Sequence, residues 1–211
     1  MIIAIDGPAA AGKGTLARRL AAHFGLPYLD TGLLYRATGR RVLDGGGDPA
    51  DFATATLAAH SLIGADTKRP DLRGPEADRA ASQVASISGV RAALLDFQRN
   101  FGRSQGAVLD GRDIGTVIFP DADVKLYVTA SAAARGVRRW KELLARGVAV
   151  ELATVTAEII ARDAADEARS AAPLVAALDA KTIDTTELDA DGTFRHALAV
   201  ITNMIPTVNL S

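Results

Sequence analysis

The sequence of 211 residues predicts an α/β fold built on a mostly parallel sheet. Short apolar runs of strand character alternate with stretches in which apolar residues recur at helical spacing. The first apolar run, Ile2 to Ile5, passes through a glycine-rich loop directly into such a helical stretch. Because ligands of parallel α/β sheets bind beyond the carboxyl ends of the strands, the functional residues are expected at that edge.

The predicted strands and helices alternate along most of the chain. Apolar runs bounded by turn residues predict strands at 2–5, 26–30, 107–110, 124–128 and 182–184. Helical periodicity predicts helices at 13–24, 32–43, 51–62, 76–87, 88–101, 132–146, 154–169 and 192–205. Gly25 ends the first helix, Gly102 ends the fifth, and residues 64–75 are expected to form a loop.

Composition excludes several classes of protein. The 24 Lys and Arg against 25 Asp and Glu give a net charge of −1, so no overall field attracts the chain to nucleic acid or an anionic membrane. The absence of cysteine excludes disulfides and thiolate metal sites. The amino terminus has no signal-peptide pattern, and no apolar stretch reaches the ~20 residues of a membrane span. We expect a cytoplasmic monomer that binds neither nucleic acid nor membrane.

A phosphate-binding loop is predicted at residues 7–15, GPAAAGKGT, where G-x-x-x-x-G-K stands between a strand and a helix. The glycines let backbone N–H groups turn toward a phosphate, and the following helix presents its positive end. Lys13 is expected to reach the β- and γ-phosphates and to act in catalysis. The residues expected to bind ATP are Gly7, Pro8, Ala9, Ala10, Ala11, Gly12, Lys13, Gly14 and Thr15.

The loop departs from the strict motif because Gly14 stands where a hydroxyl usually holds Mg²⁺, and Thr15 follows one place later. We therefore expect Mg²⁺ to be carried by the ATP phosphates and water. Asp110, at the end of an apolar strand, is expected to hold the metal indirectly through water. The GKGT form is typical of nucleoside-monophosphate kinases, and the sequence has no N-K-x-D guanine signature of a GTPase.

Arginines cluster after the predicted strands, where a kinase that joins two nucleotides must neutralise several phosphate charges. Arg36 follows the second strand and Arg112 the third. Two further clusters have helical spacing. One consists of Arg135, Arg138 and Arg139, and the other of Arg162, Asp166 and Arg169.

Over residues 2–205 the sequence resembles the bacterial cytidylate kinases, through the motifs IDGPAAAGKGT, LDTGLLYR, AASQVA, VLDGRDIGTVIFPDADVKLYVTAS, RDAADEARSAAPL and IDTTEL. The resemblance implies a three-layer P-loop kinase fold with a five-stranded parallel sheet and transfer of the γ-phosphoryl group of ATP to CMP and dCMP. It implies a single domain, 1–211, with a core of 1–30, 106–131 and 171–205, a helical monophosphate-binding region of 31–105, a mobile lid of 132–170 and a tail of 206–211.

Carried over to this sequence, the cytosine contacts of the family fall on Ser82, Arg91 and Asp113. The ribose contacts fall on Arg162 and Asp166, and the acceptor-phosphate contacts on Arg36, Arg112 and Arg169, with Thr31 as a further substrate-binding position. Together with Lys13 and Arg112, the expected catalytic residues are Arg135, Arg138 and Arg139, which would close over the transferring phosphoryl group. These three are expected to be solvated until both nucleotides bind.

Several alternatives remain open. Asp113 could orient Arg112 through an ion pair instead of contacting the base. The chain could be a P-loop kinase for UMP, AMP or an alcohol, with Asp113 as the base in the last case, or a nucleotide-binding protein without catalysis. Two departures from the family stand out: residues 61–75 lack the pattern of its extra antiparallel sheet, and Ala164 and Ala165 replace larger or charged residues. The histidines and Trp140 are expected at surface or packing positions.

Overall fold

Five parallel strands form the centre of the fold in a computed structural model that describes residues 1–205. The predicted tail at 206–211 lies outside the described residues. The strands follow the order β2-β3-β1-β4-β5 across the sheet, and every neighbouring pair is parallel, which confirms the predicted class. They are β1 (Ile2–Asp6), β2 (Tyr28–Asp30), β3 (Ala107–Gly111), β4 (Val124–Thr129) and β5 (Lys181–Asp184).

Each predicted helix is present, with ends displaced by a few residues. The helices are α1 (Lys13–Phe24), α2 (Thr31–Asp44), α3 (Phe52–His60), α4 (Pro75–Ala85), α5 (Ser88–Gln105), α6 (Ala132–Ala145), α7 (Leu152–Glu167) and α8 (Ala190–Met204). Helix α5 continues past Gly102, where the sequence predicted its end, and stops before Gly106, which has φ of 79°. Gly102 instead leaves room for Phe119, which packs where its side chain would lie. Within residues 1–205, no helix is long and apolar enough to span a membrane.

The sheet is covered on both faces, which gives three layers. Ile3 and Ile5 of β1 share one apolar cluster with residues of α1 and α8. Ala4, which points to the opposite face, lies in a second cluster with Leu109 and Phe119, against which residues of α5 pack. The central strands β1, β3 and β4 are buried on both faces, which explains why their sequences are largely apolar.

The segment at 61–75, all of which is described, contains two short 3-10 turns and no strand, as the sequence predicted. A π-helical turn at Ile114–Ile118, between β3 and β4, was not predicted. Helix α7 ends at Glu167, so the expectation that Arg169 lies on this helix is wrong. The backbone N–H of Ala168 bonds to the carbonyl of Ala164 and closes the last turn before Arg169.

Candidate active site

The loop after β1 has the backbone conformation that its glycines predicted. Gly7 has φ of 144°, and a Cβ there would lie 1.9 Å from the carbonyl oxygen of Val128, so only glycine fits. Lys13 is the first residue of α1, and its Nζ donates to the carbonyl oxygen of Pro8 at 2.7 Å. Burial, together with the positive charge of Arg112, lowers the pKa of Lys13 to about 7. The loop therefore folds over its own lysine, and a bound anion would stabilise the charged form of that lysine.

Strand register brings three aspartates to the carboxyl edge of the sheet. Asp30 pairs with Asp110, and Asp6 pairs with Gly111. The hydroxyl of Tyr28 donates to Oδ1 of Asp110 at 2.9 Å, and Oδ2 lies 3.6 Å from the place that a Cβ on Gly14 would take. Burial and the nearby charge of Asp30 raise the pKa of Asp110 to about 6. Asp110 thus stands beside the loop position that lacks a hydroxyl.

A cavity of about 780 Å³ opens above this edge. Five of the residues predicted from the sequence do not line this cavity, and they are Gly7, Pro8, Ala11, Arg135 and Arg138. The sequence-predicted residues that do line it are Ala9, Ala10, Gly12, Lys13, Gly14, Thr15, Thr31, Arg36, Ser82, Arg91, Asp110, Arg112, Asp113, Arg139, Arg162, Asp166 and Arg169.

One wall of the cavity carries the residues expected to contact cytosine. Arg91 of α5 forms an ion pair with Asp113, and its side chain lies over the ring of Tyr35, 5.6 Å from the ring centre. Ser82 of α4 faces the same cavity. The alternative in which Asp113 pairs with Arg112 is wrong, because the partner of Asp113 is Arg91.

Arg112 is held instead by Asp166 of α7. Its Nε donates to Oδ2 of Asp166 at 2.8 Å, and Arg169 donates to the other oxygen. Although burial opposes the charge, Arg112 and Arg169 hold the pKa of Asp166 below its usual range. Although Arg169 follows the end of α7, its ion pair with Asp166 keeps it in the cavity lining beside Arg112.

Burial also affects Arg162, which lies on α7 beside these residues. Burial and the charge of Arg112 lower the pKa of Arg162 to about 10. Its Nε is buried with no hydrogen-bond partner among the described residues. Crowded cations with a free donor are the arrangement expected of a site that takes an anionic ligand.

The three arginines of α6 diverge, and only Arg139 lines the cavity. Arg135 is 5% exposed, donates from Nε to the carbonyl oxygen of Ala130 at 2.8 Å and pairs with Asp163 at 2.6 Å. Arg138 donates from Nη1 to Oγ1 of Thr185 at 2.9 Å. The expectation of three solvated arginines is wrong. The amino-terminal half of α6 lies against the phosphate loop and the segment after β5, and Arg139 is only 19% exposed and pairs with Asp78 and Glu142.

Two aspartates that the sequence analysis did not single out belong to the site. Oδ1 and Oδ2 of Asp6 accept from the backbone N–H groups of Ile114 and Gly115 at 2.8 and 2.7 Å. Asp78 of α4 pairs with arginines from three other helices. Both could have been found: Asp6 ends a buried strand at the functional edge, and Asp78 lies one helical turn before Ser82, on the same face.

Comparison with known proteins agrees with this geometry. The family model described as cytidylate kinase matches residues 3–203. The cytidylate kinase of Acidiphilium cryptum is 62% identical over 205 residues, covering 97% of both chains, and that of Granulibacter bethesdensis is 62% identical over 206 residues, covering 98% of this chain and 99% of the other. The crystal structure of an uncharacterized protein from Eubacterium ventriosum shares the fold, with a TM-score of 0.57 at 14% identity over 95% of this chain and 98% of that chain. The chain belongs to the cytidylate kinase family.

Proposed function

We propose that this protein transfers the γ-phosphoryl group of ATP to CMP, giving CDP and ADP, and that dCMP is a second acceptor. The observation that carries the proposal is one cavity lined by the phosphate loop, by the Arg91–Asp113 pair and by arginines from α2, α6 and α7. Such a cavity offers a donor-phosphate site and a base-reading wall together, as a transfer between two nucleotides requires.

The chemistry needs positioning and charge neutralisation more than a general base. The acceptor phosphate is already mostly dianionic at neutral pH, since its second pKa is ~6. One of its oxygens attacks the γ-phosphorus of ATP. The bond from that phosphorus to the β–γ bridging oxygen breaks, and ADP leaves with the electron pair. Lys13 and the loop N–H groups would bind the β- and γ-phosphates, while Arg36, Arg112 and Arg169 would hold the acceptor phosphate.

Base and ribose recognition follow from the donors and acceptors on the cavity wall. An ionised Asp113 would accept from the N4 amine of cytosine, and Ser82 and Arg91 would donate to O2 and N3. Arg162 and Asp166 would contact the ribose. Thr31 is 3% exposed and its hydroxyl donates to the carbonyl of Asp110 at 2.8 Å, so we propose that it shapes the acceptor side of the cavity.

The donor set fits Mg²⁺ that arrives with ATP. Among residues 1–205 no group of three or more carboxylate or histidine side chains could hold a metal alone, and Asp110 has one oxygen engaged by Tyr28. We propose that Asp110 holds the ion through water with its other oxygen. When bound, Mg²⁺ would neutralise charge on the transferring phosphates.

We also propose the regional division expected from the resemblance. It comprises a core of 1–30, 106–131 and 171–205, a monophosphate-binding region of 31–105 and a mobile lid of 132–170. Within the lid region, helix α7 and the part of α6 from Arg139 onward meet in a small apolar cluster around Leu143 and Val155, in which Trp140 packs, and this supports the movement of that part as a unit. We propose that the protein acts as a cytoplasmic monomer without nucleic acid.

Initial rates with ATP and each of CMP, dCMP, UMP and AMP test the proposal. We expect CMP and dCMP to be phosphorylated, and UMP and AMP to give kcat/KM values more than tenfold lower. Higher kcat/KM with AMP or UMP would identify a kinase of different acceptor choice. No transfer to any acceptor, with ATP still bound, would identify a nucleotide-binding protein without catalysis.

A further inference from the structure

Asp78 joins arginines from three helices around the cavity. Its Oδ1 accepts from Nε and Nη2 of Arg36 on α2, at 3.0 and 2.8 Å. Its Oδ2 accepts from Arg139 on α6, and Nη1 of Arg162 on α7 lies 3.7 Å from Oδ1. The Asp78 side chain is 16% exposed and lines the cavity. One carboxylate therefore faces three cations across the space that the acceptor would enter.

The contacts of Asp78 are of two kinds. The contact with Arg36 is local, because α2 and α4 pack so closely that a Cβ on Gly39 would lie 2.8 Å from that of Ala80. The contacts with Arg139 and Arg162 reach across from the proposed lid region. A movement of the lid would leave the first contact in place and change the other two.

The other arginines that we expect to contact CMP are Arg91, Arg112 and Arg169, and they are also paired with carboxylates. Asp113 holds Arg91, and Asp166 holds Arg112 and Arg169. Asp113 and Asp166 each have a proposed contact with the nucleoside, whereas Asp78 has none. A carboxylate is an acceptor only and repels a phosphate, so Asp78 cannot bind the acceptor phosphate directly.

We propose that Asp78 is the counter-ion of Arg36, Arg139 and Arg162 in the ligand-free protein, and that the phosphate of CMP, which Arg36 would hold, displaces it from Arg139 and Arg162. Asp78 thereby sets the affinity for the acceptor: its charge holds the arginines inside the cavity and opposes the phosphate that replaces it. This inference rests on the proposed function, since it takes a nucleoside monophosphate as the ligand.

Asp78→Asn tests the inference because it keeps the shape of the side chain and removes its charge. We expect the variant to bind CMP at least ~fivefold more tightly than the wild type in calorimetry without ATP, since one like charge close to the phosphate is lost in a partly buried site. Cytidine, which has no phosphate, should bind both proteins equally. A purely structural role for Asp78 would not strengthen the binding of CMP.

Asp44→Asn is the matched control. Asp44 also bridges two arginines, Arg40 and Arg69, but does not line the cavity. This variant should bind CMP as the wild type does. If Asp78→Asn does not fold, as judged by circular dichroism, Asp78→Ser is measured in the same way.

The outcomes separate the two proposals. Unchanged or weaker CMP binding by the Asp78 variant, with cytidine binding retained, would overturn the counter-ion role, and weaker binding would show that Asp78 instead holds Arg36 in place for the phosphate. A wild-type protein that binds no CMP would overturn the proposed function itself. Tighter CMP binding, unchanged cytidine binding and an unaffected Asp44 variant would support the inference.

Discussion

The carboxylate of Asp6 accepts a hydrogen bond from the backbone N–H of Ile114 at 2.8 Å, which ties the end of β1 to the turn that follows Asp113. Its second oxygen accepts from the N–H of Gly115 at 2.7 Å. The π-helical turn begins at these two donors, so Asp6 positions the segment that carries Arg112 and Asp113. This connection links the phosphate loop to the cavity wall that we propose contacts the base, through one buried side chain.

The buried Asp6 predicts a pH dependence of stability. Burial raises its pKa from 3.8 to about 6, although the two N–H groups favour the charge. Between these values the folded protein retains a proton that the unfolded chain has released, so this contribution to stability is present below pH 4 and lost as pH rises through 6. The loss amounts to ~3 kcal/mol, at 1.36 kcal/mol per pKa unit.

Chemical denaturation of the wild type and Asp6→Asn from pH 4 to pH 7 measures this effect. The unfolding free energy of the wild type should fall relative to that of the variant over the range. Asp121→Asn, at an exposed position, is the control for the removal of one carboxylate. A difference between the wild type and Asp6→Asn that stays constant over this pH range would contradict the prediction.

Removal of Lys13 should affect the chemical step. Its ammonium group would follow the charge that develops as the phosphoryl group transfers, so Lys13→Ala should lower kcat by at least ~10²-fold and raise the KM for CMP much less. Lys125→Ala is a matched control, because Lys125 is also buried and also donates to the carbonyl of a proline five residues earlier, outside the cavity. A kcat close to that of the wild type in Lys13→Ala would exclude a role in phosphoryl transfer.

Lys13 also predicts a pH profile. With a pKa of about 7 in the ligand-free protein, Lys13 loses its charge as pH rises above 7. The kcat/KM for ATP should therefore fall above that pH. In contrast, kcat should stay constant to a higher pH, because bound phosphates favour the charged amine. Lys13→Arg keeps its charge and should lack the alkaline fall in kcat/KM, whatever its absolute rate. The same fall in this variant would assign the titration to another group.

We expect the proposed lid to have a fixed part and a part that moves on ligand binding. Arg135 donates to the carbonyl oxygen of Ala9 and Arg138 to the hydroxyl of Thr185, which ties the start of α6 to the core, whereas Arg139 is held across the cavity by Asp78. Hydrogen exchange should therefore slow on binding of a bisubstrate analogue mainly across 139–170, and much less with CMP alone. Residues 132–138 should change little in either case. Equal exchange with and without the analogue across 139–170 would indicate a rigid site.

The phosphate loop and the five strands could be predicted because each depends on residues close in sequence. Ile3, Ala4 and Ile5 are all fully buried, so the apolar pattern of β1 is unbroken. Gly7 and Gly12 both have positive φ, so their spacing reports a backbone path that favours glycine at these two positions. Such local patterns predict a strand or a loop without knowledge of the rest of the fold.

Charge pairing could not be predicted in the same way. Helical spacing placed Arg135 and Arg138 on a common face, but each guanidinium reaches a partner distant in the chain, Asp163 or Thr185. The position of Asp78 among three arginines likewise depends on how the helices pack. A long side chain can reach several partners, and which of them lies near it depends on the tertiary structure. The sequence therefore predicted which residues belong to the site better than it predicted their contacts.

Asp113 predicts the choice of base. Cytosine presents an amine at position 4 and uracil a carbonyl, so an ionised Asp113 favours CMP and repels UMP. An unpaired buried polar group costs ~1–3 kcal/mol and the repulsion adds to this, so kcat/KM for CMP should exceed that for UMP by well over tenfold. Asparagine can turn its amide toward the uracil carbonyl, so Asp113→Asn should lose CMP activity while UMP activity holds or rises.

The ion pair with Arg91 sharpens the test of base choice, because loss of the charge on Asp113 also frees that guanidinium. If Asp113 served only to hold Arg91, Asp113→Asn would reduce kcat/KM for both substrates by the same factor. Arg91→Lys provides the comparison, since it keeps the positive charge beside Asp113 but loses the planar fork. We expect it to weaken both substrates and to leave CMP preferred. An unchanged ratio of CMP to UMP in Asp113→Asn would therefore assign base reading to another residue of the cavity wall.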